Sequence, residues 1–409
     1  MDRGRTIGWY AACAAFAAAV ACFSDQPVQR SWGTWAAGGY LAATASATLW
    51  RSYGRQAAVV LALTGALGGP LLWRATGGRD LPRVGEGALT VVSRAGELLL
   101  HHGTPYLDGT RLYDPESYNP YGSALAVFGL PHALGLPGWA GNPRLWFGAS
   151  GVLLLWAAFR RAGVSDALGC TAIAFAAPLL AQPLTLGGTD IPVMALLFLS
   201  LALLIVPSRV VLAGLALGVA CAMKATAWPA VPVLVAMLLV RNGIRPALRF
   251  TVAVAVTAAG SFVATAPAAL AAPSDLFRNT VLFPLGLTQR KTTAASSLPG
   301  HLLAGTGSAG HWVSIGLLAA AIVGTCILVV LRPPAGLAAA VRYLAGIYAV
   351  IFTLAPATRW GYFAYPLGLL GWYALTTWDR TGPAVARGVP VQPAAPAVES
   401  TAAYQSART

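Results

Sequence analysis

Charge is the scarcest ingredient of this sequence. Asp, Glu, Lys and Arg together make up 10% of its 409 residues, where a soluble domain carries about a quarter. Lysine is nearly missing, since Lys224 and Lys291 are the only two, and the 13 acids are outnumbered by 27 basic residues. A surface so poor in charge cannot face water over most of its area, which excludes a string of soluble domains. Cysteine is also sparse. Cys13, Cys22, Cys170, Cys221 and Cys326 fall in apolar runs at irregular spacing, with no CxxC or Cys/His zinc pattern. They read as small core residues. The formal net charge of +14 invites a nucleic-acid partner, but no dense Lys/Arg stripe exists to track phosphates. The GxGxxG match at 305–310 has no preceding strand and no βαβ context, so it reads as a flexible loop rather than a dinucleotide site.

What the sequence has in plenty is hydrocarbon. Hydrophobic residues make up 57% of it and the mean hydropathy is +0.65. Apolar runs of roughly 16 to 22 residues alternate with short Arg-bearing loops, the pattern of a chain that crosses a bilayer repeatedly. The expected fold is all-α, a polytopic membrane bundle whose partner is lipid. Twelve spans are expected near 6–23, 34–50, 57–73, 145–160, 165–182, 190–206, 209–224, 227–240, 248–272, 311–331, 340–357 and 361–377. The first follows Arg3 and Arg5 and is long enough to span, which favours an uncleaved helix over a signal peptide. The GxxxG pairs Gly65/Gly69 and Gly214/Gly218 are expected to let helices pack closely.

The basic residues set the orientation. With the N-terminus in the cytoplasm, that side receives 15 of the 27 basic residues and only four of the 13 acids, chiefly in short loops such as 51–55 and 241–249. Both termini are then cytoplasmic, in a plasma membrane, and the histidines sit outside or at that rim. Two outer loops, about 74–144 and 273–310, are too long to be mere connectors. The piece at 121–136 is short for a span and carries Pro131, so it is expected to lie along the membrane surface, as is an amphipathic helix near 86–102. Three parts follow: a first pair of helices at 1–56, a main module at 57–377, and a disordered tail at 378–409.

The few ionisable groups of the outer face are the candidate chemistry. Asp80 and Glu86 follow the third span, as solvated loop acids or as a general base for an acceptor hydroxyl. Asp190 opens the sixth span behind two glycines and ahead of Pro192, either as a boundary marker or as a group that meets a ligand. Lys224 and Arg359 stand where the orientation rule does not need them. They are snorkelling cations, or with Arg290 and Lys291 they clamp a lipid phosphate. No metal-ligand cluster is found, and no metal or other cofactor is expected.

The segments at 101–106 (HHGTPY), 118–121 (YNPY), 187–190 (GGTD), 223–229 (MKATAWP), 279–284 (NTVLFP), 298–301 (LPGH) and 358–362 (TRWGY) occur in that order. Together they resemble the actinobacterial, polyprenol-phosphate-dependent membrane glycosyltransferases of the family-87 mannosyltransferase type, in the GT-C superfamily. The resemblance covers about 80–375. It implies a polyprenyl-phosphate-sugar donor, a glycolipid or polysaccharide acceptor on the outer face, inversion, and a base in the first outer loop. There the sequence departs from the family pattern: Ala88 stands where an acid belongs, with Glu86 two residues earlier. The base is then Glu86, Asp80 or Asp190, or catalysis is impaired. On this reading His101, His102, Tyr106, Asn119, Tyr121 and His301 contact sugar or acceptor. A transporter or lipid flippase, and an inactive scaffold, are the competing functions.

Overall fold

The computed structural model describes residues 3–50, 53–76 and 87–381, and among these no strand forms. A helix stands at each of the twelve expected positions, because in Ala-, Leu- and Val-rich sequence only a helix satisfies the backbone internally. α1 (Arg3–Phe23) and α2 (Pro27–Leu49) make a hairpin. α3 (Gly54–Leu63) runs through a π-turn into α4 (Gly69–Thr76). In the first long loop lie α5 (Gly87–His102) and the single turn α6 (Leu130–Ala133). The main bundle follows: α7 (Pro143–Arg161), α8 (Ala167–Ala176), α9 (Pro178–Leu186), α10 (Ile191–Leu203), α11 (Val210–Met223), α12 (Ala230–Asn242) and α13 (Ile244–Thr265). After the short α14 (Pro273–Phe277) and α15 (Pro299–Gly305) come α16 (Ser308–Leu331), α17 (Leu337–Leu354) and α18 (Ala364–Thr381). Among the described residues six helices are long and apolar enough to cross a membrane, or seven if the bent pair α8–α9 counts as one span.

Burial sorts these helices. α10 has only 13 residues, too few to span by itself, yet nearly all of them are buried. A helix apolar all round belongs in the middle of a bundle. α16 is equally apolar, but of its 24 residues only Gly310, Ser314 and Val329 are buried, so its apolar surface faces outward, as a lipid-facing helix does. Exposed Trp139, Trp146, Trp228, Trp312 and Trp360 ring one end of the bundle, with Trp50 and Tyr53 at the other, matching the aromatic belts of membrane interfaces.

Close packing rests on small residues, as expected from the GxxxG pairs. A Cβ on Gly65 would lie 2.4 Å from the Gly39 Cα of α2, and one on Gly214 or Gly218 would fall 2.7 Å from a carbonyl oxygen of α13. Two breaks interrupt the helices, and the first hairpin covers both. The π-turn leaves the Ala66 carbonyl free, and Trp32 Nε1 donates to it at 2.9 Å. α8 and α9 meet at 63° because Ala177 is extended ahead of Pro178. The orphaned Ala176 carbonyl accepts the Tyr40 hydroxyl at 2.7 Å.

The structure corrects three expectations about the long loops and one about the tail. The 121–136 piece lies on the surface only in its second half: Ser123–Gly129 is a 3₁₀ helix with Ala124, Leu125 and Ala126 buried inside the bundle, while Leu134 and Leu136 are exposed. α5 does form, but Val91, Val92 and Ala95 on its apolar side are buried within the protein rather than laid on lipid. Gly96 and Gly129 bring the two segments into backbone contact. The 305–310 segment is not a flexible loop; it ends α15 and starts α16 with one turn at Gly307, φ 126°. Finally, α18 runs on to Thr381, past the expected start of the tail at 378.

The bundle has two distinct ends. Loops 103–142, 224–229, 266–307 and 355–363 gather at one. At the other, Arg55 meets Asp166 at 3.8 Å and Arg3 Nε donates to the Ala47 carbonyl at 3.1 Å, so groups expected on one face do share one end.

Candidate active site

The most polar spot among the buried helices forms where α9–α10 and α11 end at the loop side. α9 stops at Leu186 because Gly187 takes the left-handed conformation (φ 86°) and Gly188 N donates back to the Pro183 carbonyl. Four residues later Pro192 sets the first turn of α10, leaving Asp190 as its N-cap. α11 ends at Lys224, whose extended backbone (φ −159°, ψ 139°) carries its side chain out of the helix. The two charges meet. Lys224 Nζ donates to Asp190 Oδ1 at 2.6 Å, with the side chains only 10% and 18% exposed.

Hydroxyl groups complete the cluster. Tyr365 donates to the same Asp190 oxygen at 2.8 Å and sits 2.7 Å from the Thr226 hydroxyl. Tyr348 donates to the Thr226 carbonyl at 2.7 Å. Lys224 also donates to Thr189 Oγ1 at 3.3 Å, and the rings of Tyr121 and Tyr362 each lie 5.4 Å from its Nζ. Among the described residues the ammonium thus has two donors engaged, one left over, and two aromatic faces beside it. Asp190 holds both partners on Oδ1; among the described residues Oδ2 has none.

Tyr121 is held in place by residues from both long loops. Tyr106 donates to the Tyr121 carbonyl at 3.0 Å, and Tyr121 N donates to Asn119 Oδ1 at 3.2 Å. Asn119 Nδ2 donates to the Pro105 carbonyl, and Asn119 N donates to Asn279 Oδ1 at 2.8 Å. Asn279 in turn donates to the Asp275 and Leu107 carbonyls, while Tyr118 stacks on Phe283 at 4.2 Å. Burial pushes the Tyr121 phenol up, with Lys224 pulling the other way, so it stays neutral at physiological pH. Asn279 is the shared clamp. Asn279→Ala should cost about 2–3 kcal/mol, since it strands a buried amide and two carbonyls, and limited proteolysis should then cut 279–298 faster than in the parent.

The expected site residues divide accordingly. Lys224, Asp190 and Tyr121 converge. Tyr106 and Asn119 lie beside Tyr121 with their side-chain polar groups bonded to backbone, which supports its position. Arg359 precedes the turn that carries Tyr362; it is exposed and donates to Thr293 Oγ1 at 2.8 Å. Arg290 and Lys291 are exposed on that same strap, two to three residues before Thr293. His301 is tied through Nδ1 to the Pro356 carbonyl at 2.8 Å. His101 and His102 are exposed in the last turn of α5, with no contact to the cluster among the described residues. Asp80 and Glu86 lie outside the described residues. No family model, curated protein or solved structure matches this chain. Among the described residues no group of three His, Cys, Asp or Glu side chains stands close enough to hold a metal.

Sequence reading missed Tyr365, Thr226, Tyr348 and Thr189. Thr189 and Thr226 lie inside quoted segments but look like spacers. Tyr348 and Tyr365 sit in apolar spans, where a tyrosine reads as an interface residue and only the fold shows it pointing inward.

Proposed function

We propose that the chain is a polytopic membrane glycosyltransferase of GT-C type, acting at the extracytoplasmic face of the plasma membrane. It would move a hexose, mannose by the resemblance, from a polyprenyl-phosphate donor to a hydroxyl of a glycolipid or glycan acceptor. The observation that supports this most is the buried Lys224–Asp190–Tyr365 cluster, set at the end where both long loops converge and Arg359 stands exposed. In this reading the donor phosphate takes the spare Lys224 donor and the Arg359 guanidinium, with Arg290 and Lys291 closing over it. The acceptor oxygen attacks the anomeric carbon, the bond to phosphate breaks, and the polyprenyl phosphate leaves with the electron pair. The cations offset the charge that develops on it. The acceptor proton passes to a carboxylate. Protonating Asp190 would strip Lys224 of its counter-charge, so Asp190 is assigned to hold Lys224 and orient the sugar. Glu86, with Asp80 as alternative, keeps the part of base.

One feature favours a flippase or transporter instead. The bent pair α8–α9 leads into a buried ion pair, as broken helices do in carriers. Among the described residues it is the single bent pair, without the counterpart that an inverted repeat supplies. Proteoliposomes loaded with radiolabelled polyprenyl-phosphate mannose and membrane glycolipid decide the matter. The enzyme forms labelled glycolipid, and E86Q lowers the rate at least about a hundredfold. Label that merely changes leaflet, with no new glycosidic bond, rules the transferase out. Full rates in E86Q, D80N and D190N alike would remove the proposed mechanism.

A further inference from the structure

At the end of the bundle opposite the cluster, α7 and α8 frame an open hollow of about 310 Å³, lined by Trp156, Arg160, Asp166 and Leu168 among others. The Arg160 guanidinium lies 4.9 Å over the Trp156 ring. The ring lies against one side of the guanidinium, whose N–H groups make no hydrogen bond or ion pair among the described residues. Asp166 does not neutralise it. Its Oδ1 caps Gly169 N at 2.9 Å and its Oδ2 faces Arg55 at 3.8 Å. The hollow therefore presents one preset, unpaired cation.

The surface leading to it is graded. Leu153, Trp156 and Arg160 occupy positions i, i+3 and i+7 of α7 and so form one stripe. Leu153 is 63% exposed, and Leu168 at the rim is 67% exposed. Along this stripe the chemistry passes from hydrocarbon to aromatic to guanidinium, in the order that a lipid presents acyl chain, glycerol and phosphate.

We propose that this hollow binds the phosphate of an anionic phospholipid headgroup, with Arg160 as its ligand and Leu153 and Leu168 against the acyl chains. Arg160 supplies charge-assisted hydrogen bonds to the phosphate oxygens, a role that basic pockets between spanning helices fill elsewhere. The site is independent of the transferase reading, since it involves no group of the loop-end cluster.

Native mass spectrometry of the full chain, stripped of lipid in detergent, tests this by titration with phosphatidylglycerol, phosphatidylethanolamine or inorganic phosphate. The parent should retain one phosphatidylglycerol per chain in preference to phosphatidylethanolamine. R160Q should weaken that binding about tenfold, W156F should keep most of it, and R241Q, an exposed arginine at the same end, should leave it within about twofold. Matching melting curves for R160Q and parent exclude misfolding as the cause. Equal binding by R160Q, or an equal loss in R241Q, overturns the site as diffuse surface charge. Equal binding of phosphatidylethanolamine, or displacement of the lipid by equimolar inorganic phosphate, overturns the anionic-headgroup assignment.

Discussion

Lys224→Met should lower the stability of the chain by about 3–5 kcal/mol, the usual consequence of removing one partner from a buried ion pair. The loss follows from Asp190, which would keep its charge beside the bundle core with only the Tyr365 hydroxyl to answer it. Adding Asp190→Asn removes the stranded charge, so K224M/D190N should regain at least about half of the lost stability. Transfer activity should stay absent in both, since each lacks the cation assigned to the donor phosphate. Thermal melts in detergent, read beside the transfer assay, separate the two effects. If the double variant is no more stable than K224M, the 2.6 Å pair is not an energetic unit. If K224M transfers sugar at the parental rate, the phosphate clamp is wrong.

Gly122→Ala should depress transfer about a hundredfold with the chain still folded. Gly122 N donates to the Met223 carbonyl at 2.8 Å, which sets Tyr121 against the end of α11 just before Lys224. An alanine Cβ there would lie 2.1 Å from the Ala222 carbonyl oxygen and 3.0 Å from the Met223 carbonyl carbon. Both are backbone atoms of a packed helix, so the 118–122 segment has to move. Its φ of −66° suits alanine, so space alone is at issue. Overpacking of this kind costs about 1–3 kcal/mol, and a displacement of about 1 Å near reacting groups can cost about 10²-fold in rate. Gly346→Ala, where an added Cβ meets nothing within 4 Å, is the matched control and should keep its rate. Parental activity in G122A would mean that Tyr121 has no part in placing the substrate.

Hydropathy was enough to locate the helices, because length and apolar content are one-dimensional properties. It could not rank them by depth: α10 and α16 read alike in the sequence, yet one is enclosed and the other stands almost bare. The 121–136 piece was misplaced for the same reason, since an apolar segment too short to span can rest on a bilayer or wedge between helices. At the site, Asp190 and Lys224 stood out as charges in unusual places, but 34 residues separate them and only the fold shows that they neutralise each other. Tyr106 and Asn119 illustrate the converse. The sequence places them in short polar segments of the long loops, and only the fold shows that their hydrogen bonds go to the backbone around Tyr121.

The two hydrogen bonds that the first hairpin sends into the rest of the chain, from Trp32 to Ala66 and from Tyr40 to Ala176, bear on how the protein can be shortened. A version starting after residue 56 would keep every group of the cluster, yet it would strip the Ala176 carbonyl of its Tyr40 donor and leave the Ala66 carbonyl with only the Thr185 hydroxyl at 3.4 Å. The bend that leads to Asp190 would then lose the hydrogen bond that covers it, and purified truncations should be judged by that geometry before any lost activity is ascribed to chemistry.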